Sequence, residues 1–380
     1  MALELLWIIP VLIIIAVLLI IARAISDGKS KQIPDLIVGA TVAIITALVI
    51  LVPVINVYEN ETGIGISYDD YFETSAISAG GALELVTINE TTYAHAKNLG
   101  TGTLTYSDGL EESYNVHKAK LDVFMIGGQS NAAYRPASCD LDTATPIPKI
   151  GTAYYYGDTD GGVAKPYNES STATDYQFMD AVASDGTLML AHLEAPFSAT
   201  YYDNTGHKVY TINCAWGGSA INGWTPGGYY FNWAKEVFAA AMAAIDKDHF
   251  DIDVKSCLWI QGESDWNKTE EYYEVEFMNW FNSIIGQSAV NFNKDYTFEN
   301  ILISKVRVID YDGTPALNNP INPALAQIEL ANTHKNVILV TQIADTFTVD
   351  NGLMLTDNLH YSQLGQNIIG VAFGDYFKKV

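Results

Sequence analysis

The sequence predicts an α/β fold in which a parallel sheet is covered by helices on both faces. From residue 121 onward, short runs rich in Val, Ile and Leu alternate with longer amphipathic stretches. Continuous apolar runs are typical of strands buried on both faces, and the amphipathic stretches between them are typical of the covering helices. Two long apolar runs and a polar segment precede this pattern, so we predict three parts: residues 1–56, 57–120 and 121–380.

The first part predicts a membrane hairpin. Residues 5–22 and 36–55 are apolar and uncharged, and each run is long enough to cross a bilayer as a helix. The loop between them carries Arg23, Lys29 and Lys31, which the positive-inside rule places in the cytoplasm. We therefore expect a two-pass membrane protein whose C-terminal part lies outside the cell or outside an enveloped virion. A signal peptide is the alternative, but the basic stretch that opens such peptides is missing.

The second part, residues 57–120, predicts a β-rich stalk or collar. Residues 82–88 alternate between apolar and polar side chains, as half-buried strands do. Residues 100–106 and 113–120 flank a Ser-Asp-Gly turn at 107–109, which is typical of a β-hairpin. The stalk and the membrane hairpin together could support a homo-oligomer.

The third part predicts a sheet whose site lies at one edge. The strands are expected at 121–126, 208–214, 254–260, 301–309 and 336–341, and the helices at 232–245, 269–285, 323–332 and 362–378. Residues 131–207 are expected to form a long insertion. In open α/β sheets the functional residues follow the carboxyl ends of the strands, so these loops are the place to look for chemistry.

The composition of the chain argues against several classes of partner and cofactor. The formal net charge of −24 argues against a nucleic-acid partner, because no basic patch is present to neutralise phosphates. No Cys/His cluster has the spacing of a zinc site, so we expect neither a metal nor another cofactor. Four Asn-x-Ser/Thr sequons are candidate glycosylation sites, provided that they lie outside the membrane: Asn60, Asn89, Asn168 and Asn267.

Ser130 and His360 suggest a serine hydrolase. Ser130 follows an apolar strand and two glycines, a sequence that presents a hydroxyl at the end of a buried strand. Asp357 and His360 supply a carboxylate and a base from one short loop. A serine hydroxyl needs such a base to remove its proton, and the base needs a carboxylate to fix its tautomer. Alone, Ser130 would be read as a turn serine and His360 as a surface histidine.

Four sequence blocks in order give a family resemblance. They are Gly-Gln-Ser-Asn at 128–131, Trp-Gly-Gly-Ser-x-Ile at 216–221, Gln-Gly-Glu-Ser-Asp at 261–265 and Asp-x-x-His at 357–360. In these blocks the chain resembles the SGNH/GDSL hydrolases, and in particular the sialate O-acetylesterases and related carbohydrate acetylesterases. The resemblance covers residues 121–380. It implies a flavodoxin-like three-layer sandwich.

The resemblance also implies roles for residues of the site. Ser130 would be the nucleophile, His360 the base and Asp357 its orienting carboxylate. The backbone N–H groups of Ser130 and Gly218 would bind the oxyanion. Gln261 is a candidate side-chain donor to it, because Ser264 stands where the wider superfamily has asparagine. The alternative for Gln261 is that its amide satisfies buried backbone groups.

Four residues are candidates for binding substrate: Asn131, Trp224, Arg135 and Glu263. Arg135 could pair with a sugar carboxylate, since a guanidinium matches that geometry. Packing or surface roles are the alternative for Trp224 and Arg135, and structural pairing is the stronger reading of Glu263.

The function predicted from these observations is that of a membrane-anchored serine esterase. It would remove O-acetyl groups from carbohydrates, and its partners would be the lipid bilayer and an O-acetylated glycan. The alternative is a surface structural or receptor-binding protein, such as a viral spike or a surface-layer protein, that uses the same fold to bind glycans. An intact Ser-His-Asp set favours the enzyme.

Overall fold

The computed structural model describes residues 63–133, 145–158, 165–166, 176–307 and 322–378. The predicted membrane hairpin lies outside these residues, as do Asn60, Arg135 and Asn168, so the predictions made on them stay predictions. Within the described ranges, no helix has the length and apolar character needed to cross a membrane. Asn89 and Asn267 are exposed, and their glycosylation also stays a prediction.

The N-terminal described residues form two antiparallel sheets. One has the strand order β1-β7-β6-β3 and the other β2-β5-β4. Strands β6 and β7 flank the Ser-Asp-Gly turn, so the predicted hairpin is confirmed. The bounds are β1 Ile64–Ser67, β2 Tyr71–Glu73, β3 Ser78–Gly81, β4 Leu83–Ile88, β5 Thr91–Ala96, β6 Gly100–Thr105 and β7 Glu111–His117.

The packing of the chain divides it into two compact units. One contains Gly65–Glu112 and Val116–Val380, and the other contains Met1–Ile64 with Ser113–Asn115. Most of the second unit lies outside the described residues. The predicted division into a stalk and a hydrolase domain at residue 120 stays a prediction.

The central sheet is mixed and mostly parallel. Its strands are β8 Ala119–Gly128, β9 Ala153–Asp158, β10 Lys165–Pro166, β11 Gln177–Asp180, β12 Lys208–Asn213, β13 Phe250–Ile260, β14 Asn300–Ser304 and β15 Val337–Thr341. The order β9-β12-β8-β13-β14-β15 is parallel throughout, while the short β10 and β11 pair antiparallel with β9. Without β9, the parallel strands follow the flavodoxin-like order 2-1-3-4-5. The predicted parallel sheet is therefore confirmed.

Two hydrophobic cores cover the faces of this sheet, because neighbouring residues of a strand point to opposite sides. The helices are α1 Glu194–Thr205, α2 Tyr229–Ala243, α3 Glu270–Ile284, α4 Asn322–Thr333 and α5 Gln363–Asp375. On β8, Val123 and Met125 lie in the core that also contains side chains of α2, α3 and α4. Phe124 and Ile126 lie in the core shared with α1 and α5.

Helix α1 and strand β9 fall inside the segment that we expected to be an insertion. The inner face of α1 includes Glu194 and Ser198 beside Phe197 and Tyr201. Because polar residues occupy part of this face, the apolar repeat that predicts an amphipathic helix is weak. The sheet and helix layers are therefore larger than the sequence pattern indicated.

Candidate active site

Strand β8 presents Ser130 at the carboxyl end of the sheet. Gly128 has φ +129°, and a Cβ atom at this position would collide with the backbone of Ile260 on β13. Only glycine allows the two backbones to approach this closely. The Gln129 N–H then donates to the Ile260 carbonyl at 2.9 Å, which fastens the turn to β13 and leaves Ser130 partly exposed.

His360 and Asp357 reach Ser130 from the loop between β15 and α5. His360 Nε2 lies 3.0 Å from Ser130 Oγ, and His360 Nδ1 lies 2.6 Å from Asp357 Oδ2. Asp357 Oδ1 also accepts the backbone N–H groups of Leu359 and His360 at 3.0 and 2.9 Å. The structure thus brings together the three residues that the family resemblance put in one set.

The acceptor role of Asp357 affects its ionisation. Partial burial alone would raise the pKa of this carboxyl, but the hydrogen bonds from the His360 ring and from two backbone N–H groups outweigh burial. The net effect is a pKa below the usual value. Asp357 is therefore ionised near neutral pH, which suits a group that orients an imidazole and stabilises its charged form.

Asn131 is buried and bonded to the His360 loop, and its predicted contact with substrate stays a prediction. Its Nδ2 donates to Glu263 Oε1 at 2.7 Å and to the Leu359 carbonyl at 3.2 Å. Its Oδ1 accepts the Tyr361 N–H at 3.0 Å. The side chain, 1% exposed, joins the serine turn to the histidine loop.

Glu263 is bonded to Asn131, which agrees with structural pairing, and its contact with substrate stays a prediction. Burial raises the pKa of its carboxyl, although the hydrogen bond from Asn131 acts in the opposite direction. Its Oε2 is buried and has no hydrogen-bond partner. A raised pKa favours the neutral acid in such a site, because an unpaired buried charge costs more than an unpaired neutral oxygen.

Gln261 is bonded inside the protein, and its oxyanion role stays a prediction. Its Nε2 donates to the Ser219 carbonyl at 2.9 Å and to Asp265 Oδ2 at 2.6 Å, and its Oε1 accepts the Tyr273 hydroxyl at 2.9 Å. Both amide hydrogens are thus engaged inside the protein, and the residue is fully buried. The alternative reading, an amide that satisfies buried groups, holds.

Trp224 also lies in the interior, so it does not line the pocket as predicted. Its ring is fully buried and packs edge-on against Trp259 and Trp280, at centroid distances of 5.1 and 5.4 Å. Its Nε1 donates to Ser219 Oγ at 2.9 Å. This satisfies the one polar atom that a buried indole carries.

Gly218 is exposed near Ser130, and its oxyanion role stays a prediction. Two residues earlier, the Trp216 N–H donates to the Gly128 carbonyl at 3.0 Å, which fastens this loop to the end of β8. Gly218 has φ +69°, a conformation that favours glycine, and nothing lies within 4 Å of a Cβ built there. A side chain at this position would therefore point into open space.

Arg307 bonds the loop that carries Asp357 and His360, and the sequence analysis did not identify it. It lies just beyond β14, is 1% exposed, and donates from Nη1 to the Asn358 carbonyl at 2.8 Å and from Nη2 to Asn358 Oδ1 at 3.2 Å. Asn358, inside the Asp-x-x-His loop, has φ +54°. A lone arginine at the end of the predicted strand 301–309 was the only signal available.

A comparison with known families identifies the family of the chain. The family model described as "carbohydrate esterase, sialic acid-specific acetylesterase" matches residues 120–379, which is more than half of the sequence. This chain belongs to that family. As a member of the sialic acid-specific acetylesterase family, it is a carboxylic ester hydrolase. Among the described residues, no group of three His, Cys, Asp or Glu side chains could hold a metal ion.

Solved structures resemble this family member only distantly. A protein from Arabidopsis thaliana is 16% identical, with a TM-score of 0.44 over 67% of this chain and 97% of its own. A carbohydrate acetylesterase from Xanthomonas citri is 15% identical, with a TM-score of 0.44 over 84% and 74%. NanS is 14% identical, with a TM-score of 0.46 over 69% and 97%. No curated protein sequence matches.

Proposed function

We propose that this family member removes O-acetyl groups from carbohydrates through a covalent acetyl-serine. The observation that carries the proposal is the hydrogen-bonded chain from Ser130 Oγ through His360 to Asp357, at the carboxyl end of the central strand β8. This arrangement supplies a nucleophile, a base in contact with it and a carboxylate that fixes the tautomer of the base. Membership of the acetylesterase family supports the choice of acetyl ester and carbohydrate.

The reaction would follow two steps. His360 Nε2 takes the proton of Ser130 Oγ while the oxygen attacks the acetyl carbonyl, and then gives that proton to the departing sugar oxygen. His360 next takes a proton from water, whose oxygen attacks the acetyl-serine. Collapse of this second intermediate releases acetate and returns the proton to Ser130.

The oxyanion of each intermediate would be bound by backbone groups. The N–H of Ser130 and the N–H of Gly218 are the donors we propose, because the Gly218 backbone is exposed beside the serine turn. Gln261 is not proposed as a donor, because its amide hydrogens bond Ser219 and Asp265. Backbone amides that donate to the developing charge are a type of stabilisation that contributes strongly to acyl transfer.

We further propose that the enzyme is anchored in a membrane and acts outside it. This part depends on the two apolar runs at 5–22 and 36–55 and on the basic residues between them. An extracellular position would expose glycans of a cell surface to the site.

Acetate release by the full-length protein tests the proposal. The purified protein is incubated with ethyl acetate and with acetylated glycans, beside Ser130→Ala and the surface control Ser107→Ala. We expect Ser130→Ala to lose about 10⁴-fold or more in kcat and Ser107→Ala to match the wild type. A folded wild-type protein that releases acetate from no ester would refute the enzyme and favour a surface protein that only binds glycans.

A further inference from the structure

We propose that the exposed ring of Tyr229, supported edge-on by Trp216, forms a stacking platform for a pyranose ring of the glycan. The inference rests on the proposed esterase function and adds the residues that would recognise the sugar. Neither ring belongs to the predicted substrate contacts, and the buried Trp224 leaves that task open. The platform consists of the Tyr229 ring and the Trp216 ring that supports it edge-on.

The platform has a fixed geometry. The Trp216 ring meets Tyr229 edge-on at 5.0 Å and Trp233 edge-on at 4.8 Å, and it lies against Tyr230 at 5.9 Å. Tyr230 in turn meets Tyr229 edge-on at 5.5 Å. Aromatic pairs favour such edge-on contacts, so each ring is held by its neighbours and does not have to be ordered when a ligand binds.

Tyr229 is exposed although it belongs to this cluster. Its side chain is 62% exposed, whereas the other three rings are partly buried. Two glycines set its position, since Gly227 has φ +87° and a Cβ on Gly228 would collide with the Gly223 carbonyl. A large aromatic ring that the backbone holds in solvent, within a cluster of others, is a surface suited to binding.

The loop that carries Trp216 is bonded to the serine turn. The Trp216 N–H donates to the Gly128 carbonyl, two residues before Ser130, so the two loops are within about 10 Å of one another. Trp216 packs on the core beneath α2 and α3, whereas Tyr361, next to His360, packs in the core beneath α1 and α5. Trp216 and the neighbour of the base thus pack on opposite faces of the sheet.

A sugar ring fits this surface better than a charged or purely apolar group. One face of a pyranose presents C–H groups that pack on an aromatic ring, while its hydroxyls stay at the rim in water. The Tyr229 hydroxyl can hydrogen-bond at that rim, because a tyrosine offers an apolar body and a polar tip. An acetyl group at Ser130 places its own sugar, or the next one along the glycan, within reach.

Two substrates and matched variants test the platform. Tyr229→Ala and Tyr229→Phe are compared with wild type on an acetylated glycan and on ethyl acetate, which has no ring to stack. We expect Tyr229→Ala to lose about tenfold in kcat/KM on the glycan, mainly through KM, and less than about twofold on ethyl acetate. Tyr229→Phe should keep most of the glycan activity. Tyr376→Ala, at an exposed tyrosine near the end of α5, is the control.

Three results would overturn the platform. If Tyr229→Ala cleaves the glycan with wild-type kinetics, the platform is refuted, but the proposed esterase function stands. An equal loss on both esters would show damage to the catalytic site instead of lost sugar binding. If the wild type cleaves no ester, the proposed function fails. The platform can then still be tested by calorimetric titration of the glycan into the wild type and into Tyr229→Ala. Equal affinities of the two proteins would refute the platform.

Discussion

Asn131 and Gln261 belong to family blocks, yet both amides point into the protein. Each bridges segments that are far apart in sequence: Asn131 contacts Glu263 and Leu359, and Gln261 contacts Ser219. A buried amide that is bonded at both ends fixes the loops it joins, since breaking it leaves buried partners unpaired. The two residues would act through the groups they position.

Replacing Gln261 separates the interior role from an oxyanion role. We expect Gln261→Met to lower the free energy of unfolding by about 2–3 kcal/mol, because the Ser219 carbonyl and Asp265 lose their donor. Urea unfolding measures the loss. An unchanged stability combined with a drop of about 10²-fold in kcat would instead indicate a donor to the oxyanion.

Replacing Asn131 tests its hold on the histidine loop. Asn131→Ala removes the hydrogen-bond partner of the Tyr361 N–H and one donor to the Leu359 carbonyl. We therefore expect the distance between His360 Nε2 and Ser130 Oγ to increase. We expect kcat on ethyl acetate to fall about 10²-fold, which is the cost of a displacement near 1 Å. Asn204→Ala, which removes a bond to the far end of α5, is the control and should keep its kcat. Equal kcat values in the two variants would contradict the assignment.

At the scale of elements, the end of β14 supports the loop before α5. Arg307 donates hydrogen bonds to the backbone and to the side chain of Asn358. The left-handed conformation of Asn358 brings Asp357 and His360 onto one side of the loop. Lys305, two residues earlier, is also buried but pairs with Asp345. The two cations offer a matched comparison, because only Arg307 contacts the proposed catalytic loop.

Arg307→Met and Lys305→Met should therefore differ in activity. Both remove a buried cation, and we expect both to lower the midpoint of urea unfolding. Only Arg307→Met should also lower kcat, by about tenfold, because the loop loses two hydrogen bonds that fix it. Steady-state kinetics on ethyl acetate checks this. A similar kcat in both variants would remove Arg307 from the list of positioning residues.

At the scale of the whole molecule, buried and partly buried titratable groups join the N-terminal strands to the central sheet. Asp69 accepts the Tyr154 hydroxyl of β9 at 2.5 Å and lies 2.7 Å from His95 Nε2 on β5. Lys208 of β12 pairs with Asp70 at 2.9 Å. Strands from both ends of this compact unit therefore share one polar network.

The direction of the pKa shifts predicts that acid stabilises the fold. Burial opposes protonation of His95, but its bonds to Asp69 and Glu84 prevail and raise its pKa. Burial raises the pKa of Glu194 to about 8. Both groups bind protons more tightly when folded, so the stability that is present below their unfolded pKa values is lost as pH rises through the folded ones.

We therefore expect the free energy of unfolding to fall between about pH 5 and pH 8. Glu194→Gln should flatten the upper part of this curve, because a neutral amide replaces the group whose pKa lies near 8. Urea titrations at fixed ionic strength measure it. The exposed Glu111→Gln should leave the slope unchanged, and a stability that rises with pH would contradict the prediction.

The sequence by itself determined the architecture around the site. Apolar runs located β8, β12, β13, β14 and β15, and the four blocks placed Ser130 at a strand end and Asp357 and His360 in the loop before the last helix. This worked because hydrophobic periodicity is a local property of the chain. It failed for α1, where Glu194 and Ser198 interrupt the apolar face.

Only the tertiary structure decided what each polar side chain faces. Nothing local distinguishes Gln261, whose amide bonds Ser219 and Asp265, from a donor to substrate. Nothing local marks Trp224 as fully buried and Trp216 as partly exposed either. Arg307 likewise gains its meaning from Asn358, which is 51 residues away in sequence. The partner of a polar group is set by the packing of distant segments, and such pairs leave no periodic trace in the chain.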